Sequence, residues 1–120
     1  MTLPVYQARA EFFKLLSHPA RIRVLELLHD REMSVGELLD EMDLEQSHLS
    51  KQLNDLRRAS LVRTRKKGSS VFYSVANQQI YELLEVARKI IACSLTEAQD
   101  LLAELQASEY AEASQPPGDT

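Results

Sequence analysis

"QSHLSKQLNDLRRASLVRTRKKGSSVFYSV", residues 46–75, decides how the chain folds, because its hydrophobic period changes part-way along. In the first part Leu49, Leu53 and Leu56 recur at i, i+4 and i+7, which is one narrow apolar helix face. The other face reads His48, Ser50, Lys51, Gln52, Asn54, Asp55 and Arg58, nearly all hydrogen-bonding side chains. From Leu61 the pattern alternates: Leu61, Arg63 and Arg65 against Val62 and Thr64, with "VFYSV" following "KKGSS". This predicts a β-hairpin in which Gly68 supplies the positive φ that a tight turn needs.

The same stretch is electrostatically distinct. Residues 46–67 hold seven basic side chains (Lys51, Arg57, Arg58, Arg63, Arg65, Lys66, Lys67) and one acidic, Asp55, a local charge of +6. The whole chain carries −4, so the remainder, with seven basic and seventeen acidic residues, carries −10. An acidic chain is not built for charge-driven binding over its whole surface, but one basic face is a different matter.

Working outward, "PVYQARAEFFKLL" (4–16) spaces Tyr6, Ala10, Phe13 and Leu16 as a first helix. In "SHPARIRVLELLHD" Ser17 or His18 can cap, Pro19 suits the first turn, and Ile22, Leu25 and Leu28 share a face widened by Val24 and Leu27. Ser34 and Glu37 have capping-box spacing and open a third helix with Val35, Leu38, Leu39 and Met42 as its stripe. A break at 43–45 leads into the helix at 47–59. After the hairpin, Asn77 can cap a long helix carrying Ile80, Leu83, Leu84, Ala87, Ile90 and Ile91. Thr96 and Gln99 suggest a second capping box and a separate short helix with Leu101, Leu102 and Leu105. The end, 108–120, reads as a disordered acidic tail, leaving residues 1–107 as a single folded domain.

Bulk properties narrow the class. The chain has 120 residues, 44% of them hydrophobic and 27% charged, which fits one globular domain. No apolar run approaches the ~20 residues needed to span a bilayer, and the N-terminus lacks signal-peptide character. A single cysteine, Cys93, excludes an internal disulfide framework. These features lead us to expect a cytoplasmic protein with no membrane partner.

A short helix, a turn and a polar-faced second helix form a helix-turn-helix, whose second helix can enter the major groove. Ser47, His48, Ser50, Lys51, Gln52, Asn54 and Arg58 are the candidate contacts there. Gln and Asn can pair with adenine, and Lys can reach guanine. Arg63, Arg65, Lys66, Lys67 and Ser69, on a wing spanning 63–73, suit phosphates or a narrow minor groove. The fold class is therefore mainly α with a small β-hairpin, a winged helix-turn-helix. The bland reading of each polar face is solvated surface; the hairpin following the helix is what favours DNA.

"FFKLLSHPARIRVLELL", "SVGELLDEM" and "EQSHLSKQLNDLRRASLVRTRKKGSSVFYSV" together resemble the ArsR/SmtB family of bacterial winged-helix repressors, over about residues 8–91. The resemblance implies a homodimer, with the first and last long helices as interface, that binds an inverted repeat in double-stranded DNA and blocks transcription. Ser60 stands where the family often has the glycine that ends the recognition helix, so an altered helix end is expected. The apolar breadth of residues 77–95 supports a self-association surface independently; Tyr6, Phe13, Ile80, Leu83, Leu84, Ala87 and Ile91 are its candidates.

Family metal sites use cysteines on the helix before the recognition helix, or Asp and His on the last long helix. Here Ser34, Val35 and Gly36 offer no thiolate, and "NQQIYELLEVARKI" has neither Asp nor His. His18, His29 and His48 lie in separate segments. No metal or other cofactor is expected, and the effector is an unidentified small molecule or a redox signal. Cys93 is either a thiol sensor or a small apolar residue of the dimer helix. No phosphate loop occurs, and Ser47 and His48 point about 100° apart on a helix, so no enzyme is expected. The residues and the resemblance together lead us to expect a dimeric, sequence-specific DNA-binding regulator acting as a repressor. A winged-helix protein-interaction module, or the same repressor with redox sensing at Cys93, is the alternative.

Overall fold

A computed structural model describes residues 3–114 of the chain, with side chains to residue 109. The elements run α1 (Leu3–Leu15), α2 (Pro19–Leu27), β1 (Met33–Ser34), α3 (Val35–Glu41), α4 (Gln46–Arg58), β2 (Val62–Lys67), β3 (Ser70–Val75) and α5 (Gln79–Ser114). They fall into two compact units, one ending at Tyr81 and one beginning at Glu82.

In the first unit the core is aliphatic. Val24, Leu25 and Leu28 of the α2 segment, Leu38 of α3, and Leu49, Leu53 and Leu56 of α4 are almost wholly buried. Pro19 occupies the first turn of α2 as expected, and His18 is the N-cap by position but makes no capping hydrogen bond. Ser17 does not cap either; its hydroxyl donates to the Lys14 carbonyl at 2.5 Å, closing α1 instead. The capping box of α3 is complete: Glu37 N–H donates to Ser34 Oγ at 3.2 Å, and Ser34 N–H to Glu37 Oε1 at 3.1 Å.

The sheet has three antiparallel strands in the order β1-β3-β2. β1, which the periodicity did not signal, pairs Met33 with Tyr73 and Ser34 with Phe72. Two residues cannot display a period, so a strand this short leaves no pattern to read. The hairpin is as expected: Lys67 pairs with Ser70, and Gly68 has φ +64° at the first of the two linking residues.

The end of α4 keeps its usual geometry despite Ser60. Leu61 N–H donates to Leu56 O and Ser60 N–H to Arg57 O, both at 3.0 Å, with Ser60 left-handed at φ +62°. This is a Schellman motif built without glycine, so the altered helix end expected from Ser60 does not occur.

Asn77 caps α5 by accepting from Gln79 N–H at 2.9 Å. Near the start of α5, the Tyr81 hydroxyl donates to the Leu25 carbonyl at 2.5 Å, and its ring stacks on His29 at 4.1 Å. Burial, with the Asp30 carboxylate adding to it, pushes the Tyr81 hydroxyl up to about 12. Ile80 is also buried here, at 5% exposure, so it belongs to the core of the first unit and not to an interface.

Two expectations for the C-terminal part are corrected. α5 is one helix from Gln79 to Ser114, without a break before Thr96. Thr96 Oγ1 and Ser94 Oγ donate to Ala92 O and Ile90 O, the i−4 bonding of hydroxyls inside a helix. The S/T-x-x-E/Q spacing signals a start only where the chain can stop, and residues 79–114 contain neither Gly nor Pro. The tail expected from 108 is helical as far as Ser114, consistent with the Ala and Glu content of "SEYAEAS"; residues 115–120 lie outside the described residues.

Ser60→Gly is expected to raise stability by about 0.5–1 kcal/mol, because relief of the left-handed strain outweighs glycine's extra unfolded-state freedom. The urea midpoint, read by circular dichroism, checks this; an unchanged or lower midpoint refutes it.

Candidate nucleic-acid interface

α4 is held by its inward face. Leu49, Gln52, Leu53 and Leu56 are buried at i, i+3, i+4 and i+7. Gln52 was expected on the outer, base-reading face, and its 5% exposure corrects that. Its Oε1 accepts from Arg21 Nε at 2.7 Å. Arg21 is itself buried, at 7% exposure, and its Nη2 donates to Asp55 Oδ2 at 2.7 Å and its Nη1 to Leu15 O at 3.1 Å. Asp55 Oδ1 accepts from Arg58 Nη2 at 2.8 Å. A single guanidinium thus links the end of α1, α2 and the middle of α4. The sequence carried a signal for Gln52, since position 52 completes the apolar stripe begun by Leu49; its polarity masked it.

The outward face keeps the other candidates. Ser47, His48, Ser50, Lys51, Asn54 and Arg58 are all exposed on α4. Arg57, not singled out as a contact, is exposed beside them. On the wing, Arg63, Arg65, Lys66, Lys67 and Ser69 are exposed. Their electrostatic states differ. Lys51, Arg57, Arg63, Lys66 and Lys67 make no ion pair among the described residues, whereas Arg58 is paired with Asp55 and Arg65 with Glu32. The Arg65–Glu32 pair is a two-pronged contact from Arg65 Nε and Nη2. Through the Arg65 hydrogen bond first, the Glu32 carboxyl is held below the usual carboxylate range, and the Arg65 guanidinium is raised in turn.

A helix-turn-helix domain family matches residues 16–65, which span α2, β1, α3, α4 and most of β2. Over 105 residues the chain is 52% identical to the uncharacterized HTH-type transcriptional regulator Rv0081 of Mycobacterium tuberculosis, covering 87% of this chain and 92% of that one. The crystal structure of Rv0081 superposes with a TM-score of 0.74 at 53% identity, covering 81% of this chain and 98% of that one. The SmtB homologue of Synechocystis, named a transcriptional repressor, is 37% identical over 83 residues, 69% of this chain and 63% of the relative. This chain belongs to the ArsR/SmtB family of winged helix-turn-helix transcriptional regulators. The transcriptional activator HlyU of Vibrio cholerae is 38% identical over 77 residues, 64% of this chain and 71% of the relative. Its reduced structure has a TM-score of 0.64 at 35% identity, covering 73% of this chain and 94% of that one. The relatives named here are regulators of transcription, not enzymes.

The remaining candidates lie elsewhere. Tyr6 and Phe13 of α1 are more than half exposed. Leu83, Leu84 and Ala87 of α5 are half-buried, and Ile91 is exposed. Cys93 is exposed, with its thiol directed at Glu97 Oε1, 3.7 Å away. Among the described residues, no three His, Cys, Asp or Glu side chains converge to hold a metal, and no helix is long and apolar enough to cross a membrane.

Arg21→Met is expected to cost about 2–3 kcal/mol in urea unfolding, because Gln52 and Asp55 lose a buried charged donor. Asp55 keeps Arg58 and 19% side-chain exposure, which limits the loss. Adding Gln52→Leu should recover part of it, since an apolar pair leaves nothing unsatisfied. For the wing, a carboxyl whose folded value is depressed stabilises above its unfolded value and ceases to do so as pH falls through the folded one. NMR titration of Glu32 should therefore give a midpoint below the ordinary range, returning toward it in Arg65→Gln.

Proposed function

We propose that the chain is a homodimeric repressor that binds an inverted-repeat operator, with α4 in the major groove and the wing on the adjacent backbone. The observation that carries this reading is the conjunction on one unit of an exposed polar face on α4 with a wing on which Arg63, Lys66 and Lys67 make no ion pair among the described residues. His48, Ser50, Lys51 and Asn54 supply donors and acceptors for base edges, with Ser47 and Arg58 beside them. Arg63, Lys66, Lys67 and Ser69 meet phosphates, and Arg65 joins them by exchanging Glu32 for a phosphate. Gln52 acts from inside, by orienting α4.

Self-association is supported by the apolar surface of α5, where Val86, Ile90, Ile91 and Leu95 are each more than half exposed. We assign Tyr6, Phe13, Leu83, Leu84, Ala87 and Ile91 to that interface. Two copies would set their recognition helices about 34–36 Å apart, or a multiple of it, matching successive major grooves. An operator covered in this way is closed to polymerase, which is repression. Redox control through Cys93 has little support: its neighbour is a carboxylate, and Arg88 is committed to Glu85.

The test is a fluorescence-anisotropy titration against the chain's own upstream DNA at several salt concentrations. Tight binding to an inverted repeat is expected, with a steep salt dependence. Lys66→Gln with Lys67→Gln should lower the slope of log affinity against log salt by about 2. Asn54→Ala should cost about 1–3 kcal/mol on the cognate site and little on random DNA. Absence of binding even at low salt would make the wing a protein-docking surface, and Cys93→Ser abolishing an oxidant response would restore the redox reading.

A further inference from the structure

A cleft beside the first turns of α4 shares only His48 with the proposed DNA contacts. Its volume is about 580 Å³, within the range usual for small-molecule sites. The start of α2, the α3–α4 turn and α4 itself form its walls.

Gln52 is the informative wall residue. At 5% exposure it is a buried carboxamide, and its oxygen is taken by Arg21. Its Nε2 has no hydrogen-bond partner among the described residues, yet none of their buried side-chain polar atoms is both sealed from solvent and unpartnered. Gln52 lines the cleft and Arg21 does not, and its amide N–H groups, unbonded and not sealed from solvent, are the part of the side chain free to meet an occupant. A largely buried donor held in place without an acceptor favours whatever brings one.

The rim limits what that can be. Glu41, Asp43 and Arg23 line the cleft, and none makes an ion pair among the described residues. Two carboxylates against one guanidinium disfavour a DNA phosphate and favour an ammonium group. No metal-ligand cluster is present among the described residues, so the cation that fits is organic. Pro19 and Met42 give the cleft an apolar wall.

We propose that this cleft binds a small effector with a carbonyl or hydroxyl acceptor at one end, an ammonium group at the other and a short apolar body between them. The acceptor meets Gln52 Nε2, and the ammonium meets Glu41 and Asp43. His48 lines the same cleft and is also assigned to DNA, so the occupant competes with the operator. That last step rests on the proposed function; the binding itself does not.

The test uses N-acetylputrescine, titrated into the ¹⁵N-labelled full chain without DNA. A saturable shift of the Gln52 side-chain amide, with shifts at Met42 and His48, is expected. Putrescine lacks the carbonyl and acetamide lacks the ammonium, so each should bind about tenfold more weakly or worse. Glu41→Gln with Asp43→Asn, both surface changes, should weaken the probe by about tenfold, the loss of a charge-assisted contact. No saturation at tens of millimolar, shifts outside the cleft, or unchanged binding by the double variant would each overturn the site. A DNA titration with the cleft saturated then tests competition: reduced affinity supports it and unchanged affinity refutes it. A chain that never binds DNA instead refutes the operator reading and leaves the ligand titration standing.

Discussion

The placement of the recognition helix depends on one buried guanidinium. Arg21, Val24, Leu25 and Leu28 form the inward stripe of the α2 segment, and Leu49, Gln52, Leu53 and Leu56 form that of α4. Each stripe holds one polar residue, and the two meet through the Arg21–Gln52 hydrogen bond. Apolar contacts alone tolerate sliding and rotation, since leucines are satisfied by many neighbours. A guanidinium divided among a carboxamide, a carboxylate and a main-chain carbonyl is satisfied in only one arrangement. Its net effect on stability is smaller than its effect on register, because desolvating the charge opposes the bonds it makes. For a helix that, on the proposed function, presents its outer face to base edges, register is the property that matters.

Periodicity made most of this legible. The helix positions, the α3 capping box, the hairpin and its Gly68 turn all follow from spacing and local chemistry, because each is decided within a few residues. Failures came where a long-range partner decided the outcome. Gln52 and Arg21 look like surface residues until each is seen to satisfy the other across 31 positions. Ile80 has the spacing of the long apolar stripe, but it lies before the point where α5 leaves the first unit. Thr96 and Gln99 copy a helix start in a segment that nothing interrupts. Among the candidate contacts, the exposed face of α4 and the wing were readable because exposure follows from the leucine stripe, while the pairing of Arg58 and Arg65 was not.

That pairing refines the charge argument. Of the seven cations that make residues 46–67 basic, two already have carboxylate partners in the free chain. An exposed pair contributes little to stability, so exchanging Glu32 for a phosphate is nearly neutral for the fold. It does, however, lower the attraction of the free wing for arbitrary polyanions. The acidic remainder of the chain acts the same way at longer range, weakest where salt screens it. On the proposed function, together they favour a protein that leaves non-specific DNA readily and stays where base contacts add to phosphate contacts.

These features locate where regulation can act. On the proposed function, changing the wing alters affinity for all DNA alike, because phosphates carry no sequence. Shifting α4 alters the specific site most, because base contacts depend on orientation to within fractions of an ångström. Gln52 links the seating of α4 to the cleft, accepting from Arg21 on one side and lining the α2–α4 cleft on the other. A ligand there would act on the residue that sets the pose of α4 and on His48 at its outer edge. Control at this point needs neither a metal ligand nor a reactive thiol.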